Sequence, residues 1–470
     1  MTKQIAHLSI AAYVVVGLFA TARAGAQTAA AESNPASIAN VTSADSDGVE
    51  FKTLYAFEAP APNTLTSPLG SQPDTTPAVG PDGAIYGMTS LGGDFGNGVI
   101  FRFDRYTHQY SVMHTFSALD ANGDNADGAS PGNGLTAGPD GMFYGMAYLG
   151  GPNGTGTIFS ITRTREFHVL HAFSALDANG HNPDGVYPLR NIIIGNDGNL
   201  YGTTRRGGPN TCLFTGGCGV AWTIDRNGNF RVIHQFTSSE GHAASLTQGF
   251  DGYLYGCAVW PATSLPAGPL PSGILYRLAP SGNDFQVLYT FSQTNASGEN
   301  MDGADCYEPV VEVRPGVFYG AAGFGGSNGN GVVFRYSLWN PGIVEVMHDF
   351  SARNSAGQNR DGATPDGPLA LGPHGRLYSN AEAGGANGNG VLYSLREDGR
   401  FEVLHTFSAT NPTTGANYDG ANADDGLILD ENKLIGIAIY GGNGSPAGYN
   451  NSGGTLYELT LDDRWYRSER

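Results

Sequence analysis

Residues 191–236 read NIIIGNDGNLYGTTRRGGPNTCLFTGGCGVAWTIDRNGNFRVIHQF, and this stretch decides the fold. NIIIG (191–195) is a short continuous apolar run, as expected of a strand buried on both faces. Asn196-Asp197-Gly198 is a tight-turn sequence. NLYGTT (199–204) follows as a second strand, and a Gly-rich connection leads to a third, GVAWTID (219–225). Asp225 to Asn229 turns the chain into FRVIHQF (230–236), whose apolar residues alternate in the manner of a half-buried strand. One segment of this length therefore makes four short antiparallel strands.

The same segment recurs along the chain. The Asp-Gly-x-apolar-Tyr-Gly motif has its first Gly at Gly83, Gly141, Gly198 and Gly252, continues as PGVFYG with Gly316 and HGRLYS with Gly375, and degenerates to ENKLIG around Asn432, in steps of 58, 57, 54, 64, 59 and 57 residues. An apolar-His-x-Phe motif ends at Phe57, Phe116, Phe173, Phe236, Phe291, Phe350 and Phe407. Seven repeats of four antiparallel strands predict an all-β, seven-bladed β-propeller, in which radial repetition leaves only short, protected strand edges. A β-helix needs a shorter period, and a helical solenoid needs a 3.6-residue pattern that is absent. The last repeat supplies GLILD (426–430), KLIGIAI (433–439) and GTLYELT (454–460) and lacks a fourth strand, whereas FKTLYAF (51–57) is a fourth strand without a third. Their union completes the seventh blade, so the ring closes through its own N-terminal strand.

The expected organisation is a signal peptide over 1–26, a flexible leader over 27–48, a single propeller over 49–463 and a tail over 464–470. Lys3, the apolar stretch Leu8 to Ala20 and the small-residue site Ala24-Gly25-Ala26 carry the signal reading. No later segment has the roughly 18 apolar residues of a membrane span. Secreted or periplasmic localisation and a monomer are expected. The 470 residues carry a formal charge of −19, which repels phosphates and excludes nucleic acid as a partner while leaving neutral ligands and divalent cations open. Four cysteines in an exported chain predict two disulfides, Cys212 with Cys218 and Cys257 with Cys306 across neighbouring blades. Zinc is the alternative, against which stand the spacing and the lack of a nearby His.

The recurring pattern DGxLYGTT, GGxNGxG, VLHTFS and NxDG, over about residues 51–460, resembles the GloVer tandem-repeat family of exported bacterial proteins. The resemblance implies a propeller on secreted or surface proteins, often with a C-terminal anchor, and no shared reaction. This chain shows no such anchor, which points to a soluble form.

Most conspicuous motifs read as scaffold. The segments GGDFGNG (92–98), GGPNGTG (150–156), GGSNGNG (325–331) and GGANGNG (384–390) lack the Lys and following helix of a phosphate loop, and are expected as hairpins between strands two and three. His114, His171, His234, His348 and His405 share one position of strand four that Tyr55 and Tyr289 occupy elsewhere, which suits a packed aromatic with a hydrogen-bonding edge. The NxDG pairs (Asn125/Asp127, Asn182/Asp184, Asn300/Asp302, Asn359/Asp361, Asn417/Asp419) are expected to bond the backbone of turns. In DANGDNADG (120–128), Asp120, Asn122, Asp124 and Asp127 crowd enough oxygens to make calcium possible there; no other cofactor is expected.

Function in a repeat protein is sought where symmetry breaks. The third repeat swells to PNTCLFTGGCG (209–219) beside Arg205-Arg206, and the fourth to VWPATSLPAGPLPSG (259–273) with Trp260. Connections two-to-three and four-to-one share one face, so these loops form a common rim. Arg205 and Arg206 suit a carboxylate and Trp260 a sugar ring. The leading expectation is a binding or interaction scaffold using this rim or the central channel, with a glycan or an extracellular protein as partner. The alternatives are an extracellular lyase or glycoside hydrolase, for which the non-repeating Asp305, Glu308 and Glu312 could face the channel, and a structural envelope protein.

Overall fold

Seven antiparallel sheets succeed one another along the chain in the computed structural model, which describes residues 42–44, 48–212, 216–259, 272–445 and 452–462. They form a seven-bladed β-propeller, and no α-helix occurs among the described residues. The third blade follows the pattern read from its sequence: Val186–Ile194, Leu200–Arg206, Val220–Ile224 and Phe230–Gln235 pair in that order. One expectation is corrected. The innermost strand is not buried on both faces, because one side borders the channel; Ile192 is buried while Ile193 and Ile194 are only partly so. Burial on both faces belongs to the second strand, as in Ile85–Gly93 and Val317–Ala322.

The seventh sheet closes the ring. Val49–Ala56 pairs antiparallel with Thr455–Leu461, which pairs with Lys433–Ala438 and then Ile428–Asp430. The outer edge of Val49–Ala56 takes on Thr42–Ala44 as a fifth strand. Those three residues fall within the 27–48 segment expected as leader, so strand pairing starts earlier than residue 49; the open edge of a strand is a ready template for it.

The DGxLYG motif is explained locally. The Tyr hydroxyl donates to the turn Asp in four copies, as Tyr201 to Asp197 at 2.6 Å and Tyr255 to Asp251 at 2.7 Å. The Gly after Tyr makes room for an aromatic ring of the third strand; a Cβ on Gly202 would lie 2.4 Å from Trp222.

Seven apolar clusters fill the seven gaps between blades. Tyr86 and Phe143 join blades one and two, Trp222 and Phe173 join three and two, and Phe57, Phe101 and Ile437 join seven and one. On the outer strands the recurring His stacks on the aromatic ring that opens strand four of the next blade. His171 lies 3.7 Å from Phe230, His348 3.6 Å from Phe401 and His405 3.9 Å from Phe51 between ring centroids, and Tyr55 on Tyr110 does the same at 4.3 Å. The far edges of the His rings and of Tyr289 are tied down: His171 Nε2 pairs with Asp184 at 3.0 Å, His348 Nε2 with Asp361 at 3.1 Å, and the Tyr289 hydroxyl donates to Asp302 at 2.7 Å.

The backbone repeats the stitching at the inner rim. One residue at the inner rim of each of six blades donates its N–H to a carbonyl of the preceding blade: Gln72 to Gly453, Ser130 to Asn97, Tyr187 to Thr155, Asp305 to Ser272, Thr364 to Asn330 and Asn422 to Asn389, at 2.9–3.2 Å. Ala243 to Cys218 serves the fourth blade. The six named donors all have positive φ, between 48° and 58°. The left-handed conformation is costly for a side-chain-bearing residue, and here it turns the N–H toward the neighbour.

Candidate functional site in the channel mouth

Each NxDG motif is a staple. Asn359 Nδ2 donates to the Ser351 and Gly362 carbonyls, and its Oδ1 accepts the N–H of Gly362 and of Gly385, at 2.6–3.0 Å. Asn125, Asn182, Asn300 and Asn417 repeat the last bond to Gly151, Gly208, Gly326 and Gly442. The Asn thus binds the four-to-one connection to the two-to-three hairpin, and fixes the face that carries both. Gly384 is required by this closeness: its φ is 73°, and a Cβ would lie 2.5 Å from Asn359 Oδ1.

This scaffold role extends to the loop considered for calcium. Asp120 Oδ1 accepts the N–H groups of Asn122 and Asp124, and Asp127 takes Ser117 and His114. Those oxygens are engaged by the turn itself.

The chemistry gathers beyond the staples, at the top of the innermost strands. Counting from the NxDG Asp, the fifth residue is Gly132 in blade two, Leu189 in three, Tyr307 in five, Asp366 in six and Asp424 in seven; the sixth is Arg190 in three, Glu308 in five and Asp425 in seven. Asp74 stands at the matching place of the first blade, two residues after Gln72. Glu382, at the end of a second strand, joins them. Arg190 Nη1 lies 2.7 Å from Glu308 Oε1 and is within electrostatic reach of Asp366, Asp424 and Asp425 as well.

Burial dominates the ionisation of these groups. It pushes Glu308 up to about 8 despite the attraction of Arg190, and Asp366 to about 6. Asp74, Asp424 and Asp425 are also raised, first by burial; Asp425 and Asp74 further interact with each other. Asp425 is only 4% exposed, and its Oδ2 meets no hydrogen-bond donor; neither does the buried Oδ1 of Asp424. Carboxyl groups so crowded cannot all ionise without a compensating charge.

Aromatic and cationic groups stand beside these acids. Arg190 and Arg205 both stand over the Tyr307 ring, 5.7 and 5.9 Å from its centroid, and Tyr148 stacks on Tyr187 at 4.9 Å. Burial, and then the charges of Arg205 and Arg206, lower His242 to about 4, against the bond from its Nδ1 to the Arg205 carbonyl, so it is neutral at pH 7.

Of the residues anticipated from sequence, Arg205, Asp305 and Glu308 lie at the channel mouth. Arg206 is exposed beside it, and Trp260 lies outside the described residues. Glu312 is elsewhere: its carboxylate caps the N–H groups of Phe250 and Gly316 in hairpins of the opposite face. Arg190, Asp74, Asp366, Glu382, Asp424 and Asp425 were not anticipated. Their signal was residue identity at fixed register, where three blades place Asp at the position that holds Gly, Leu or Tyr in others. Both disulfides are formed. Cys212–Cys218 pins the third-blade hairpin, and Cys257–Cys306 joins blades four and five, as expected of a chain that matures in an oxidising compartment.

No helix among the described residues is long and apolar enough to cross a membrane. No curated protein matches this sequence. Among solved structures, an oligogalacturonate lyase of Vibrio parahaemolyticus is 13% identical, with 91% of this chain and 97% of that one covered and a TM-score of 0.47. A gluconolactonase of Xanthomonas campestris is also 13% identical, covering 88% and 90% with a TM-score of 0.38. TolB of Acinetobacter baumannii is 14% identical over 65% and 58%, with a TM-score of 0.34. At such identities no reaction or ligand carries over to this chain. The Gloeobacter/Verrucomicrobia repeat matches over residues 30–213, 73–300 and 188–449, so the protein belongs to that repeat family.

Proposed function

We propose that the protein is an exported binding propeller that takes a hydroxyl-rich ligand, such as the end of a glycan, in the channel mouth. The carrying observation is that the channel mouth combines aromatic rings, Tyr148 on Tyr187 and the Arg-covered Tyr307, with the carboxyl groups that gather around Arg190. Aromatic faces receive the apolar face of a sugar ring, and carboxylates accept its hydroxyls. Arg205 supplies a donor for an acidic sugar, with the exposed Arg206 next to it in sequence. Glycan-array screening followed by calorimetry tests the reading. Binding without turnover, abolished by Tyr307→Ala and Arg205→Ala, is expected; a ligand held equally well by both variants would place the site elsewhere.

A second reading is a carbohydrate-active enzyme, a lyase or glycoside hydrolase. It is favoured by Glu308, which holds its proton near neutral pH as a general acid must, with further carboxyl groups beside it. Product release from a polysaccharide, lost in Glu308→Gln, would establish this reading over the first.

A further inference from the structure

Asp366, Glu382 and Asp424 each bring one carboxylate oxygen into a group whose members all lie within 4.8 Å of one another. They come from two neighbouring blades, six and seven, and from two kinds of position: the top of innermost segments for Asp366 and Asp424, and the end of a second strand for Glu382. Local bonds set the arrangement. The Asn422 amide donates to Glu382 Oε1 at 3.1 Å, and the Glu382 N–H donates to the Thr364 carbonyl at 3.0 Å. Thr364 and Asn422 are the left-handed residues two positions before Asp366 and Asp424, so the ring of inter-blade bonds also fixes where these two acids emerge.

A second observation is independent of the cluster. Asp425, next in sequence to Asp424, is 4% exposed and keeps Oδ2 without a donor, as Asp424 keeps Oδ1. Four of the surrounding acids, Glu308, Asp366, Asp424 and Asp425, act on the same guanidinium, Arg190, whose Nη1 is already engaged by Glu308. Donorless buried carboxylate oxygens call for a proton or a cation.

We propose that Asp366, Glu382 and Asp424 hold a divalent cation of the calcium class in the channel mouth. The donor set is oxygen only, which suits a hard cation and not zinc. Calcium bonds oxygen at about 2.3–2.6 Å, so oxygens on opposite sides of its shell are roughly 4.6–5.2 Å apart, and three oxygens within this group fit on one shell. Calcium takes about 6–8 oxygens. Three protein ligands leave positions for water or for vicinal hydroxyls of a bound ligand. The cation thus deepens the binding reading above, and it stands even if that reading fails.

The test uses the full mature chain, stripped with EDTA, and calcium chloride alone. Calorimetry should show one calcium site per chain, and terbium should give sensitised luminescence from the neighbouring tyrosines. Asp424→Asn and Asp366→Asn should weaken binding at least about tenfold while the far-ultraviolet circular dichroism stays that of wild type. Neither removes a structural bond, and each relieves crowding of like charge. Asp124→Asn, in the 120–128 loop, should bind as wild type does. Absence of calcium binding to 5 mM, retention of full affinity in both channel variants, or loss of the site in Asp124→Asn would each overturn the proposal. If calcium binds and no glycan does, the cation site stands and the glycan reading falls.

Discussion

In the absence of divalent cations, the channel should make this protein lose stability as the pH rises through neutrality. Glu308 shows why. Its ordinary value is 4.5 and burial lifts it to about 8 in the fold. The folded chain therefore keeps a proton that the unfolded chain releases. The resulting stabilisation is complete below pH 4.5 and is lost as the pH climbs to about 8. At 1.36 kcal/mol per pH unit the difference approaches about 5 kcal/mol, and relaxation with solvent entry reduces it to about 2–4 kcal/mol. Asp366, lifted from 3.8 to about 6, adds a smaller loss of about 1–3 kcal/mol over its own lower window. Asp127 and Asp361 act in the opposite sense. Burial pushes them up but bonds from His114 and His348 and from Ser117 and Ser351 outweigh it, so their contribution fades only as the pH falls below the ordinary carboxylate range. Urea unfolding in EDTA at pH 5, 7 and 9 isolates the channel groups. The wild-type free energy should fall steadily across the series, and Glu308→Gln should fall by about 2–4 kcal/mol less between pH 5 and 9. A wild-type profile that is flat or rising over that range, or a variant that falls as steeply as wild type, would refute the reasoning.

Other consequences concern the scaffold. Asn359→Ala removes four bonds of 2.6–3.0 Å and should cost about 2–4 kcal/mol by urea unfolding, with Asn417→Ala close to it. Gly384→Ala should cost at least about 2 kcal/mol, because its φ of 73° is unfavourable for Ala and its Cβ would press on Asn359 and on the Gly362 backbone. His348→Tyr should cost less than about 1 kcal/mol, since Tyr289 fills the same position and bonds its Asp, whereas His348→Ala should cost about 2–3 kcal/mol. Deletion through residue 57 removes the outer strand of blade seven with the buried Phe51 and Phe57; thermal unfolding should show a loss of at least about 3 kcal/mol, and an unchanged transition would overturn closure by the N-terminal strand.

The propeller was legible because its period was. Turn residues at fixed offsets mark every strand boundary, and the unmatched fourth strand at 51–57 announces the closure. The role of His348 could be inferred because Tyr289 replaces it. What escaped was the fine burial of the inner strand and most of the channel site. Loop length breaks the symmetry visibly in the third and fourth repeats, whose connections between strands two and three swell. The carboxyl groups of Asp366 and Asp424 break symmetry without changing any length. Inside a regular repeat they read as one more turn residue, and only the closed ring brings positions some 60 residues apart onto one axis. Arg190 was hidden in the same way, beside an apolar strand start that gave no hint of the acids it would meet.

The inner ring of hydrogen bonds has an evolutionary consequence. Gln72, Ser130, Tyr187, Asp305, Thr364 and Asn422 join their neighbours through the backbone N–H, a group every residue but proline possesses. The ring bond itself therefore asks nothing of their six different side chains, even where one adds a contact of its own, as Asn422 does to Glu382 and Tyr187 to Tyr148. The residues that follow them can be exchanged with the assembly intact, and the lining of the mouth is rewritten in that way. A scaffold built in this way separates the requirement to fold from the choice of what to bind, so that related chains can share every staple and still recognise unrelated ligands.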